Sequence, residues 1–483
     1  MSRHVAIQHI DTYFSSGAFL TDLRRRVAMP TESQATKHRG DLVSYLENEM
    51  SDVLASMGFT SEILENPVPG MPPFLIAERF EAGCEAAALP TVLLYGHGDV
   101  VGGDAENWSK GRSPWDVTVD GDHWYGRGTA DNKGQHSINL AALAAVLKVR
   151  GSLGFNVRVL LEMGEEVGSP GLGLLCEQHT ERLAADLLIA SDGPRQRAAA
   201  PTVFLGSRGA LHFRLAVGNA YGARHSGNWG GVLANPAVIL SNALACLVDG
   251  QGQIRIAGLL PPPIPASVKA LVAALEIGKD AGDPPLSENW GAPGLSPAER
   301  VYAWNTLEIL AMNAGDVAHP VSAIPKSAEA VCQLRFVVGT DWENAKPLIE
   351  AHLRAHGFGQ ITVSIEASGA ATRLDPEHPW VDFTLASIAK STGKDATLLP
   401  NLGGTIPNEC FAVTLDLPTI WIPHSYPNCR QHAPDEHLLG SCAREALRMM
   451  TGLFWDMGDP AVLPPVALRQ IFGTANIANA ANA

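Results

Sequence analysis

The chain has 483 residues, a formal net charge of −15 and 46% hydrophobic residues. Length allows roughly two to three domains around a large buried core, and an acidic chain without a run of Lys and Arg lacks the electrostatics of a nucleic-acid binder. The opening Met1–Asp11 has no apolar core of a signal peptide, no apolar stretch is long enough to cross a bilayer, and the seven cysteines include no CxxC pair; these features predict reduced thiols and a soluble, cytoplasmic protein.

The N-terminal region alternates strand-like and helix-like segments. Thr91–Tyr95 is a short apolar run closed by Gly96, Lys133–Val149 carries apolar residues near helical spacing, and Asn156–Leu161 is the next strand. Gly171–Leu183 reads as a helix and Asp186–Ala190 as a third strand. Strands alternating with helices predict a largely parallel sheet covered on its faces, in which ligands gather outside the carboxyl ends of the strands. After about Pro201 the texture changes. Val203–Val217 reads as one or two strands, Pro236–Val248 as a helix, and residues 258–300, rich in Pro and Gly, as an extended loop or insertion. Glu329–Val338, Trp342–His356 and Ile361–Glu366 then read as strand, helix and strand, a compact α+β unit inserted into the first domain. The expected organisation is 1–205 for the first part of an α/β catalytic domain, 206–371 for the inserted unit and 372–483 for the second part, which resumes with a helix at Trp380–Ser391. The tail from Pro460 is weakly patterned and is expected to lie on the surface or to be disordered.

Imidazole and carboxylate groups fall at the ends of these strands or in Gly-rich turns. They are His97 and Asp99, Asp131, the adjacent pair Glu165 and Glu166, Asp192 and His432. Each has an ordinary explanation when taken alone. His97 and Asp99 could form a strand-end hydrogen bond; Asp131 could cap the helix that follows; the two glutamates could be a solvated acidic turn. Asp192 could be a turn residue and His432 a surface histidine, with His424 a rival for its role. The ordered series is more informative than its members. Such groups suit two zinc-like ions sharing a bridging carboxylate, with one glutamate left over as a base, and so point to metal-assisted hydrolysis. Glu162 is read as structural; His179, His352 and His356 fall in helical segments and are read as solvated; Cys410 and Cys429 are not expected to ligate metal.

The stretches Gly96–Val101, Asn107–Trp108 with Ser113–Asp116, Gly126–Gly134, Glu165–Ser169, Ser191–Gly193 and His432 with Glu436 resemble the M20 family of zinc peptidases and aminoacylases, over most of the chain. The resemblance implies His97, Asp131, Glu166, Asp192 and His432 as ligands of two Zn2+ ions, with Mn2+ or Co2+ as possible substitutes and Asp131 as the bridge. It implies Asp99 as the partner of His97, Glu165 as general base, and a cis peptide at Asp131–Asn132. On the substrate side, Gly403–Pro407 resembles the family's Gly-Gly-Ser/Thr-Ile-Pro loop, which brings in Gly404 and Thr405. Ala323–Pro325 followed by Arg335 resembles the strand that supplies an arginine to the substrate carboxylate. His225 resembles a lid histidine that reaches the site of a partner subunit, although spacing alone favours a surface loop histidine. The implied protein is a homodimeric, dinuclear zinc hydrolase that cleaves an amide bond in a dipeptide or N-acyl amino acid. The alternatives are a hydrolase of N-carbamoyl or xenobiotic amides and a catalytically dead binding homologue.

Overall fold

The computed structural model describes residues 2–82, 89–279 and 283–464; most of the tail considered above, from residue 465 on, lies outside the described residues. The chain forms two compact units. Unit 1 comprises Met1–Leu205, Leu374–Leu399 and Pro407–Ala483, and unit 2 comprises Gly206–Arg373 and Pro400–Ile406. The short segment 400–406 therefore packs with unit 2, whereas the sequence reading left it in the second part of the catalytic domain.

In chain order, unit 1 first contributes β1 (Thr60–Leu64), β2 (Phe74–Arg79), β3 (Thr91–His97), β4 (Thr118–Asp120), β5 (His123–Tyr125), β6 (Asn156–Glu162), β7 (Leu187–Ala190) and β8 (Thr202–Phe204). Unit 2 follows with β9 (Gly209–Gly218), β10 (Arg224–His225), β11 (Thr306–Asn313), β12 (Ala323–Ile324), β13 (Ser327–Phe336) and β14 (Thr362–Gly369). Unit 1 then resumes with β15 (Thr397–Leu399), β16 (Thr419–Trp421) and β17 (His437–Leu439).

The main sheet of unit 1 has the order β1-β2-β6-β3-β7-β16-β8-β15. Its four central strands, β6, β3, β7 and β16, run parallel, while β2 and β8 pair antiparallel on either side. The fold class is α/β, with a mixed sheet that is parallel at its centre. These central strands are apolar almost without interruption because both of their faces are covered; β7 and β16 are buried at every position. The helices Arg3–Ser15, Lys133–Arg150, Pro379–Thr392 and Gly440–Met457 pack on one another above this core. The expected helix over 171–183 is broken into Leu172–Gln178 and Thr180–Leu183 at His179.

Unit 2 is built on an antiparallel sheet of order β11-β13-β9-β14. Alternate residues of β9 are buried, the period-2 signature of a sheet covered on one face. The cover is provided by the helices Pro236–Leu247 and Ala345–Ala355. The second presents Ala345, Ile349 and Leu353 inward, one stripe at helical spacing. The stretch 258–300 is less irregular than its composition suggests: it contains the helix Ala266–Ala273 and leads into Pro297–Tyr302, which begins with a Ser296/Glu299 capping box. The segment 203–217 likewise resolves into two strands in different units, β8 and β9.

Candidate metal centre

The ends of the four parallel strands bring the site together. β3 terminates at His97, β6 runs into the 3-10 turn Glu165–Val167, β7 runs into Asp192, and the loop after β16 leads to His432. Asp131 arrives from the turn that precedes the helix Lys133–Arg150, where the Asp131–Asn132 peptide is cis, as the motif resemblance implied. Asn132, not Asp131, occupies the cap position of that helix, and Asp131 uses its carboxylate elsewhere.

Asp131 is the centre of the arrangement. Its Oδ1 lies 3.1 Å from His97 Nε2, and its Oδ2 lies 3.1 Å from His432 Nε2. Asp192 Oδ2 approaches the same His97 nitrogen at 3.7 Å, and Glu166 Oε2 approaches the same His432 nitrogen at 3.0 Å. Two sets of three donors result, His97 with Asp131 and Asp192, and Asp131 with Glu166 and His432, each with its ligand atoms within 4.8 Å of one another. All five predicted ligand residues enter these sets. His424 does not: it is buried with its Nε2 3.0 Å from Ser191 Oγ. Cys410 and Cys429 are also outside them. Glu165 stands beside the sets rather than in them, its Oε2 4.0 Å from His97 Nε2.

The electrostatics are those of a cation site. Four carboxylates converge on two imidazoles, and all but Glu165 and His432 are essentially buried. Burial pushes Glu166 up to about 7 and Asp192 up to about 6, and holds Glu165 well above the ordinary carboxylate range. For His432 the hydrogen bonds to Asp131 and Glu166 are the larger influence and carry it up to about 10. Burial opposes charge on His97, but its contacts with Asp131 and Asp99 raise it above the usual imidazole range. An excess of buried negative charge of this kind is relieved by metal, and mixed imidazole and carboxylate donors suit zinc, manganese or cobalt. The donor set thus fits a pair of divalent ions.

The surrounding residues hold these groups in place. Asp99 accepts the backbone N–H of Glu165 at Oδ1 and that of Glu166 at Oδ2, at 3.2 and 3.1 Å. Its backbone carbonyl lies 3.1 Å, and its Oδ1 3.4 Å, from His97 Nδ1. One aspartate therefore orients an imidazole and both glutamates. The glutamates sit on a tight 3-10 turn, Glu165–Val167. His432 has φ +60°, in the left-handed region that a β-carbon disfavours, and this conformation turns its ring toward Asp131.

Glu436 is the residue that sequence reading left without a role. Its Oε1 accepts the N–H groups of Gly128, Ala130 and Asp131 at 3.0, 2.9 and 3.1 Å, and its Oε2 accepts from Arg127 Nη1 at 2.8 Å. It is the anchor of the turn that presents Asp131.

The predicted substrate-side residues lie in unit 2. Arg335 Nη1 donates to Thr405 Oγ1 at 2.5 Å, and Thr405 Oγ1 donates to the Arg208 carbonyl at 2.8 Å. Arg208 was not singled out from sequence; its Nε donates to Gly403 O at 2.8 Å, beside Gly404. Arg335 has no carboxylate partner among the described residues, and burial alone lowers its pKa. His225 is exposed, accepts the Gly227 N–H at Nδ1, and pairs through β10 with Ala323 of β12. The two stretches singled out from sequence, around His225 and around Ala323–Pro325, are thus joined in one ladder.

A model of the peptidase family M20/M25/M40 matches residues 93–456, a span that contains every residue of the two donor sets. The chain belongs to this family. As an M20 protein it is a metal-dependent peptidase in class, in agreement with the resemblance of its motifs. Similar curated proteins include the cysteinylglycine-S-conjugate dipeptidase of Corynebacterium striatum, 27% identical over 337 residues that make up 66% of this chain and 70% of that protein. The Cys-Gly metallodipeptidase of Candida albicans is 29% identical over 265 residues, 52% of this chain and 53% of its own length. The human β-Ala-His dipeptidase is 32% identical over 199 residues, 40% of this chain and 38% of its own. The match thus spans about half or less of the length of the last two. The M20 fold is shared with solved structures: a dipeptidase of Saccharomyces cerevisiae (TM-score 0.76, 21% identity) and human carnosine dipeptidase 1 (TM-score 0.73, 21% identity) each align with 95% of this chain and 99% of their own. No helix among the described residues is long and apolar enough to cross a membrane.

Proposed function

We propose that this M20 peptidase is a dipeptidase that uses two divalent ions, with zinc the first choice and manganese or cobalt as substitutes. The observation that carries the reading is the division of the Asp131 carboxylate, one oxygen toward His97 and the other toward His432. His97, Asp131 and Asp192 would hold one ion, and Asp131, Glu166 and His432 the other. When bound, the ions supply Lewis-acid polarisation of the scissile carbonyl and lower the pKa of water. Glu165 is the general base: it lies outside both donor sets, within reach of them, and burial has raised its affinity for a proton. It takes the proton of the attacking water and delivers it to the leaving amine. Asp99 keeps this carboxylate in register through the Glu165 N–H.

The substrate is a short peptide with a free carboxylate. Arg335, without an acidic partner among the described residues and steadied by Thr405, offers a planar fork to that group, with the Gly403–Thr405 loop beside it. The names of the relatives favour Cys-Gly and β-Ala-His as the first dipeptides to assay. N-acyl amino acids remain within the same chemistry. We further infer a homodimer in which His225, polar and exposed, serves the site of the partner subunit.

The test is a panel of dipeptides and N-acyl amino acids assayed with zinc, manganese and cobalt. Turnover of dipeptides that falls when the terminal carboxylate is amidated supports the proposal. Preference for N-carbamoyl or other amides without a carboxylate would replace it.

A further inference from the structure

A second concentration of metal-binding side chains lies in unit 2 and shares no residue with the centre described above. The helix Pro236–Leu247 brings Cys246 to its last turn, and the helix Ala345–Ala355 with the residue after it brings His352 and His356, four apart and on one face. One ligand atom from each of the three lies within 4.8 Å of the others. The two imidazole rings are stacked, with centroids 4.2 Å apart.

The rings are held as metal ligands are commonly held. His352 has its Nε2 2.8 Å from the Cys246 carbonyl, and His356 has its Nδ1 2.8 Å from the His352 carbonyl. A ring that donates one N–H to a backbone carbonyl is fixed in tautomer and orientation, and its other nitrogen carries a lone pair. These contacts correct the sequence reading of His352 as a solvated helix histidine, since it is partly buried against Cys246, whereas His356 is exposed as that reading had it.

We propose that Cys246, His352 and His356 form a separate binding site for one borderline-soft divalent ion such as zinc. One thiolate and two imidazoles are a donor set for Zn2+, Co2+ or Ni2+ rather than for Mg2+ or Ca2+, and exposure at His356 leaves the fourth position to water. Binding replaces the thiol proton by the metal, with one proton released to solvent. The ion would tie the C-terminal end of one covering helix to the other, so the site serves the integrity of unit 2. It does not depend on the proposed reaction.

Cobalt distinguishes this site from the catalytic one, because the catalytic donors are nitrogen and oxygen only. Full-length protein stripped of metal and titrated with Co2+ should develop a near-ultraviolet thiolate-to-cobalt absorption that Cys246→Ser lacks. Elemental analysis after zinc loading should find one ion fewer per chain in His356→Ala than in wild type. His356 is exposed, so this variant should keep its fold and its peptidase activity. A measurement without any variant is alkylation of Cys246 followed by peptide mass spectrometry, where zinc should slow the reaction by about tenfold or more. Absence of the thiolate band in the wild type, equal metal content in wild type and His356→Ala, or an alkylation rate that ignores zinc would each overturn the proposal.

Discussion

Glu436 holds Asp131 by its backbone: a carboxylate oxygen of the buried Glu436 accepts the Asp131 N–H at 3.1 Å, across 305 residues of sequence. The same oxygen takes two more N–H groups from the turn, and the other oxygen takes Arg127. Asp131 is aimed by this contact, so the geometry of both donor sets depends on a residue that belongs to neither. Glu436→Gln puts an amide N–H where Arg127 or the backbone already donates. It should weaken metal affinity by about 10–100-fold, the usual cost of losing an outer partner of a metal ligand. Competition with a calibrated chelator measures this, and an unchanged affinity would remove Glu436 from the positioning role.

Base and ligand should separate by substitution. Glu165→Gln should retain the metal content of the wild type while its turnover falls by about two to four orders of magnitude, the share that a positioned proton-transfer group contributes. Glu166→Gln should instead lose affinity for one ion, because Glu166 lies with Asp131 against His432. Metal analysis alongside kcat distinguishes the two. Near-wild-type turnover in Glu165→Gln would move the base elsewhere.

Arg335 should govern the Michaelis constant. Lys in its place keeps the charge but loses the two-pronged geometry and the contact with Thr405. Arg335→Lys should raise KM by at least about tenfold, equivalent to one charge-assisted hydrogen bond, and an amidated substrate should show the same loss with the wild type. Equal cleavage of free and amidated substrates would take this role from Arg335.

Most of the centre was legible in the sequence because its chemistry is local. His97, Glu165, Glu166 and Asp192 each follow an apolar run that could be recognised as a strand, and parallel strands deliver their ends to one place. What escaped is tertiary. Glu436 works by accepting N–H groups from a turn some 300 residues earlier, and nothing in its neighbourhood encodes that. Segment 400–406 joins unit 2 through contacts such as Ser207 with Leu402 and Thr405 with Arg208, which composition cannot reveal. The Pro-rich stretch concealed the helix Ala266–Ala273, whose prolines precede it, where the chain has yet to form its first turn. Cys246 and His352 lie 106 residues apart, so their proximity had no signal in spacing.

His225 is tested by complementation. Homodimers of His225→Ala and of Glu165→Gln should both be nearly inactive. Mixed dimers should recover up to about half of the activity of a wild-type dimer, because one of their two sites joins an intact Glu165 to an intact His225. No recovery after verified subunit exchange would confine His225 to its own subunit or remove it from the reaction.

Turnover against restored metal tests the central claim most directly. Protein stripped by a chelator and confirmed metal-free by elemental analysis should not hydrolyse a dipeptide, and zinc, manganese or cobalt should restore hydrolysis. The same titration of Asp131→Ala should restore none, since both donor sets lose their shared carboxylate. Full dipeptide hydrolysis by the metal-free wild type, or recovery by Asp131→Ala to the wild-type rate, would contradict the account.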